Sequence, residues 1–313
     1  MDGSDRLGRR INLRDLRVLM AVADTGSMAK AAATLRISHP AVSKTISELE
    51  GALGARLLDR SPQGAELTAS GKVLLRCGIN IFDELRQGYR SLEHLSDPNS
   101  GEVRLGCTDI ILHSLAPMVL RHFSAKYPGV QVDVKLANPG EHQLRELRER
   151  RVDLLITRAT DQSVADDMHS ELLFDEPFVF VVGAESEFAR KRRVTLGDII
   201  GHKWILPPPD SSPGALIEGV FRAAGFQSPV AVVKTISIEL TAQLVASGEF
   251  VGILPISVAR LKAGQTALRV LPVKSVGPRI SAAILVVKNR TLGPAVESFV
   301  NCVRNVVEAS RRQ

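Results

Sequence analysis

Leu13, Leu16, Leu19, Met20 and Ala23 recur at the three- and four-residue intervals of one helical face, and Gly26 ends the run. Asn12 precedes it in the place of a capping residue. Ser27 opens a second, shorter helix whose apolar side is Ala31, Ala32 and Leu35. That helix breaks at Arg36 and Ile37. Ser38 then caps a third, with Pro40 in its first turn, where a missing N–H is harmless.

The third helix, SHPAVSKTISELE, has two unlike faces. At about 100° per residue from Pro40, Val42, Ile46 and Leu49 fall at about 200°, about 240° and about 180°, one buried stripe. Pro40, Ser43, Lys44 and Ser47 lie opposite, with no large apolar group among them. Short side chains allow close approach, and hydroxyls and cations meet bases or phosphates. A solvated face in a small bundle is the plain alternative. The helix–short turn–helix context favours a helix laid in the DNA major groove.

In GALGARLLDRSPQGAELTASG, Leu57, Leu58 and Leu67 anchor two short extended pieces about a turn at Pro62, Gln63 and Gly64. This reads as a wing beside the recognition helix, with Arg56 and Arg60 placed for phosphates. Thr68 caps a long helix running to about Leu95. Leu74, Gly78, Ile81, Leu85, Gly88, Leu92 and Leu95 keep a coiled-coil seam along it. Each glycine costs roughly 1 kcal/mol relative to Ala and permits close backbone approach. Pairing of two chains is preferred over packing on the helix's own domain. Residues 97–101, DPNSG, read as a hinge.

Beyond it the texture changes. VRLGC, VQVDV, DLLIT, FVFVV, KWIL, VAVV, FVGIL and AAILVV are short β-rich runs, and SLAPMVLRHFSAKYP and EHQLRELRERR are helical. Their alternation predicts an α/β region with a mostly parallel sheet, in two lobes. Ligands of such sheets sit beyond the strands' carboxyl ends, where helix N-termini favour anions. Four segments qualify: Thr108 with Asp109, Asn138, Ser211 with Ser212, and Thr235 with Ser237. A polar or anionic metabolite fits them, although Asp109 could instead select an amine or a sugar hydroxyl. The same Ser and Thr residues are also ordinary N-caps. Cys107 is either a thiol acidified beside a helix start or a small buried hydrophobe.

Composition narrows the picture further. Of 313 residues, 44% are hydrophobic, and the net charge is +6. Ten Lys and Arg against seven Asp and Glu in the first sixty residues put half of that charge at one end, which suits a polyanionic partner. Three scattered cysteines offer neither a disulfide framework nor a metal site. No signal-like segment, membrane-length apolar run or catalytic motif is present, so the expectation is a cytoplasmic, non-enzymatic protein without cofactor, metal or membrane partner.

From Ile11 to Thr68 the chain resembles the winged helix-turn-helix of LysR-type transcriptional regulators. The matching residues are AVADTGSMAKAAATL, SHPAVSKTISELE, LGARLLDR and the T-x-x-G of Thr68 and Gly71. One departure is His39, where the family usually has Gln before the proline. The resemblance implies a DNA-binding domain over 11–68, a dimerising linker helix over 69–96, a hinge over 97–101 and an effector-binding region over 102–313 similar to periplasmic solute-binding proteins. Its lobes would be about 102–161 with 267–313, and about 162–266. It implies operator DNA, a small-molecule effector and a second copy of the chain, in a homodimer or homotetramer, as partners. Ser27, Arg36, Ser38, His39, Pro40, Ser43, Lys44, Ser47, Arg56 and Arg60 form the expected DNA surface. The alternative is an architectural DNA-binding protein whose C-terminal half only oligomerises. RLGRRINLRDLR and DRSPQGAELTASG resemble a subgroup linked to sugar or aromatic-acid metabolism.

Overall fold

The computed structural model describes residues 11–61, 64–97, 99–137, 141–159, 165–273 and 277–311. The chain divides into two compact units, Met1–Arg90 and Ser91–Gln313. The first holds α1 (Leu13–Thr25), α2 (Met28–Leu35), α3 (His39–Leu53), the strands β1 (Leu58–Ser61) and β2 (Gly64–Leu67), and most of α4 (Ala69–Ser96). Asn12 and Asp15 form a reciprocal cap on α1, and Gly26 ends it in the left-handed conformation at φ 64°. Val22, Val42, Ile46, Leu49 and Leu57 meet in the core. Burying each is worth about 1.5–3 kcal/mol.

Polar ties position the hairpin. Glu50, on α3, accepts from the amides of Leu57 and Leu58 at 2.8 and 3.3 Å. Ala65 N donates to Gly26 O at 2.9 Å. Thr68 Oγ1 donates to Arg56 O at 2.7 Å and accepts from Gly71 N at 3.0 Å. A Cβ on Gly71 would lie 2.1 Å from Leu57 O, so this T-x-x-G demands glycine for lack of space. Gly78 has a local reason of its own. A Cβ there would meet Met20 Sδ at 3.3 Å, so close packing on α1 uses this glycine.

The second unit begins with β3 (Gly101–Cys107), α5 (Asp109–Leu112), α6 (Ala116–Lys126), β4 (Val130–Leu136), α7 (Glu141–Arg148), β5 (Leu154–Ala159) and β6 (Met168–Glu176). Then come β7 (Phe178–Gly183), α8 (Leu196–Ile199), β8 (Trp204–Leu206), α9 (Ser212–Ala223), β9 (Ala231–Lys234), α10 (Ile238–Ala246), β10 (Val251–Pro255), α11 (Ile256–Ala263) and β11 (Leu268–Val270). Last are β12 (Ile280–Val287) and α12 (Pro294–Arg311). One five-stranded sheet has the order β4-β3-β5-β12-β6, the other β11-β7-β10-β8-β9.

Two expectations are corrected here. The sheets are mixed, not mostly parallel, because β6, β7, β11 and β12, next to the two crossovers between sheets, pair antiparallel with their neighbours. The lobe boundaries also move from about 161 and 267. Strand β6 pairs with β12 and so stays in the first lobe, whereas β11 pairs with β7 and stays in the second. The chain therefore changes sheet at Pro177 and between Val270 and Ile280. Each lobe has an aromatic centre: Phe123 meets Phe299 edge-on in the first, and Phe180, Trp204 and Phe221 pack mutually in the second.

Candidate nucleic-acid interface and ligand cleft

Helix α3 buries Val42, Ile46 and Leu49 and turns Pro40, Lys44 and Ser47 outward; Ser43 is half-buried at the edge of that face. Ser38 Oγ accepts from Ala41 N at 3.3 Å and Ser27 Oγ from Lys30 N at 3.5 Å, so both hydroxyls serve as helix caps. Arg36 ends α2 at φ 56°, and this left-handed residue makes the turn between α2 and α3. His39 and Arg56 are exposed. Lys44 Nζ lies 3.7 Å from Glu48 Oε1 in a solvent-exposed pair. Arg60 pairs through its backbone with Ala65; its side chain, with Pro62 and Gln63, lies outside the described residues. Sequence reading missed Glu50, whose backbone ties join the recognition helix to the wing.

In the second unit the two lobes meet through polar contacts. Thr108 stands at the N-cap of α5 but makes no capping bond. Its Oγ1 is buried without a hydrogen-bond partner among the described residues. Asp109 reaches across to the other lobe, where its Oδ2 accepts from Ile238 N, the first amide of α10, at 3.0 Å. His113 Nε2 lies 3.4 Å from Asp109 Oδ1. Ser212, at the start of α9, accepts from Arg158 Nη2 at 2.9 Å, a second bridge between lobes.

The remaining expected hydroxyls are engaged by their own backbone. Ser211 Oγ accepts from Gly214 N and donates to Pro208 O, Thr235 Oγ1 accepts from Ser237 N, and Ser237 Oγ accepts from Leu240 N. These are N-cap and turn bonds, the plainer of the two readings of such residues. Asn138 lies outside the described residues.

Sequence reading overlooked Arg158. It follows the apolar run of β5 at the carboxyl end of the strand, which was the available signal. Burial lowers its guanidinium below the usual arginine range, and among the described residues no carboxylate forms an ion pair with it. A half-buried cation beside a helix start makes an environment suited to an anion.

Cys107 is fully buried, and desolvation pushes its thiol up to about 12. That suppresses the reactive thiolate, so the residue belongs to the core. Among the described residues no helix is long and apolar enough to cross a membrane.

Residues 13–72 match the family model for bacterial regulatory helix-turn-helix proteins of the lysR family, and residues 96–308 match that for the LysR substrate binding domain. The uncharacterized HTH-type transcriptional regulator YdcI of Escherichia coli (strain K12) is 28% identical over 305 residues, 97% of this chain and 98% of YdcI. The HTH-type transcriptional regulator GbpR of Rhizobium radiobacter is 29% identical over 254 residues, 80% of this chain and 84% of GbpR. Among solved structures, CbnR, a LysR family transcriptional regulator, has a TM-score of 0.63 at 21% identity, covering 95% of this chain and 99% of its own. A full-length OxyR variant from Pseudomonas aeruginosa has a TM-score of 0.67 at 20% identity and covers 95% of both chains. These two likenesses carry the fold. The substrate-binding match tells against a C-terminal half that only oligomerises. With a DNA-binding helix-turn-helix joined by one long helix to an effector-binding domain, the chain belongs to the LysR family of transcriptional regulators and is not an enzyme.

Proposed function

We propose that this regulator responds to a small anionic metabolite held between the lobes by Arg158, with Thr108 and Ser212 completing the contact. The carrying observation is Arg158: a half-buried guanidinium with no carboxylate in an ion pair with it among the described residues, its hydrogen bond to Ser212 running to the opposite lobe. An anion there would replace a contact between one charge and a neutral hydroxyl with an ion pair and favour one spacing of the lobes. Asp109, Ser211, Thr235 and Ser237 shape the same cleft, most of them as backbone caps rather than direct ligands, and Asn138 is a further proposed ligand. On the DNA side, Pro40, Ser43, Lys44 and Ser47 face base edges, with His39 beside them. Arg56, Arg60, Arg36 and the helix starts at Ser27 and Ser38 meet the phosphates.

The working form is a cytoplasmic homodimer that associates further into a homotetramer on operator DNA. Leu85, Leu92 and Leu95, exposed at 52, 64 and 80%, support pairing along α4. The test is thermal denaturation of the full chain against sugars, sugar acids, aromatic acids and amino acids at matched ionic strength. Acids should stabilise it, by about 2.7 kcal/mol at one hundred times the dissociation constant. Arg158→Ala should abolish that shift while its unliganded Tm stays near the parent's. Equal stabilisation of the Arg158→Ala variant would remove Arg158 from the site.

A further inference from the structure

The two helix starts at the contacts between the lobes carry opposite electrostatics. At α9 the nearby charge is the Arg158 guanidinium, bonded to Ser212 Oγ at 2.9 Å. At α10 the site an anion would occupy is already filled from within the chain. Asp109 Oδ2 accepts from Ile238 N at 3.0 Å, across 129 residues of sequence, while Leu240 N is held by Ser237 Oγ and Ser237 N by Thr235 Oγ1. Glu239, the next residue of α10, adds a second carboxylate there, bonded to Lys262 and Gln243. His113 borders Asp109 on the other side.

Resting on the reading of this cleft as the effector site, we infer that Asp109 is its charge filter. It occupies the α10 start as a built-in anion, so the effector carries one anionic group, at the Arg158 end, and no second anion at its far end. A helix start stabilises one negative group through its free amides and partial positive charge. With Asp109 there, a second ligand carboxylate would meet a like charge and find Ile238 N already engaged. Asp109 lies just beyond β3 and Arg158 at the end of β5, and these strands are parallel neighbours with Cys107 opposite Ile156. Adjacent strands stand about 4.8 Å apart. The two residues therefore stem from neighbouring strands at one edge of the first lobe, each reaching to the opposite lobe. The ligand class is a small monocarboxylate whose other end is apolar, hydroxylated or amino-bearing, and a dicarboxylate of the same skeleton is rejected.

The test uses the full-length protein and three probe pairs matched in carbon skeleton: butyrate with succinate, 2-methylbenzoate with phthalate, and gluconate with glucarate. Apparent affinities come from thermal-shift titrations at constant ionic strength. The expected wild-type result is that, in each pair that binds, the monocarboxylate binds roughly tenfold or more tighter. Asp109→Asn keeps the size and an oxygen for Ile238 N while removing the charge, and should bring each pair to within about threefold. Equal or tighter binding of the dicarboxylates by wild type overturns the inference and leaves the anion cleft standing. So does an Asp109→Asn variant that keeps the wild-type preference. No shift with any probe at millimolar concentration overturns the anionic cleft itself, and the charge filter falls with it. The wild-type ratio decides the matter even if the variant does not fold.

Discussion

Arg290 Nη2 donates to Asp153 Oδ1 at 2.8 Å, and both side chains are wholly buried. Arg104 joins them, with Nη2 2.6 Å from the same oxygen and its backbone amide 2.9 Å from Oδ2. Burial alone would raise the Asp153 pKa. The hydrogen bonds and charge of Arg104 and the charge of Arg290 outweigh it and hold the carboxyl below its ordinary value. The group's contribution to stability is thus present above the unfolded-state pKa and is lost as pH falls through the folded value. Asp153→Asn leaves two arginines around a neutral amide and should cost about 3–5 kcal/mol. Urea unfolding followed by tryptophan fluorescence checks this, and a loss below about 1 kcal/mol would mean that the cluster tolerates an unpaired arginine.

Lys44 stands on the outward face of α3, and its exposed pair with Glu48 contributes little to stability. Lys44→Ala should weaken specific operator binding by on the order of 1–3 kcal/mol and leave the melting temperature nearly unchanged. Fluorescence anisotropy at several salt concentrations separates base reading from phosphate contact. A uniform loss over specific and random DNA would reassign Lys44 to the backbone.

The unpaired stripe on α4 gives a third prediction. Leu92→Glu together with Leu95→Glu places two charges on the seam at residues that belong to none of the hydrophobic core clusters. Sedimentation equilibrium should then find monomer where the parent is a dimer or larger. An unchanged mass would move the self-association surface elsewhere on the chain.

Glu176, at the end of β6 beside the first crossover, accepts from Ser257 N at 2.7 Å and Ser257 Oγ at 2.8 Å. Burial raises its carboxyl above the ordinary glutamate value, opposed by those two bonds from Ser257. A carboxyl raised in the folded state favours folding most below its unfolded pKa, and this contribution declines as pH rises through the folded value. Glu176→Gln keeps an acceptor without a charge. It should therefore match wild type near pH 4 and equal or exceed its stability at pH 7. Melting temperatures across that range check the sign; a variant less stable at pH 7 alone would refute it.

Much of the DNA-binding unit was legible because its signals are local. The spacing of Val42, Ile46 and Leu49, the caps at Asn12, Ser27 and Ser38 and the left-handed Gly26 all act within a few residues. Strand β6 was missed for an equally plain reason. It lies at a sheet edge, and its one short apolar run, Leu172 to Phe174, sits between Glu171 and Asp175 with Leu172 itself exposed, a weak strand signal. Of the expected cleft residues, Ser211, Thr235 and Ser237 bond to their own backbone, an outcome that residue type does not distinguish from ligand contact.

By itself, then, the sequence determined most of the elements, the recognition helix and its two faces, the wing, the linker helix and the family, because hydrophobic period and capping are nearest-neighbour physics. Tertiary structure alone decided which strands share a sheet, why Gly71 and Gly78 are glycines, and which charges meet across the cleft. Arg158 meets Ser212 from 54 residues away, and Asp109 meets Ile238 from 129. Contacts at such separations follow from how the sheets pair and fold together, and no local pattern of residues encodes them.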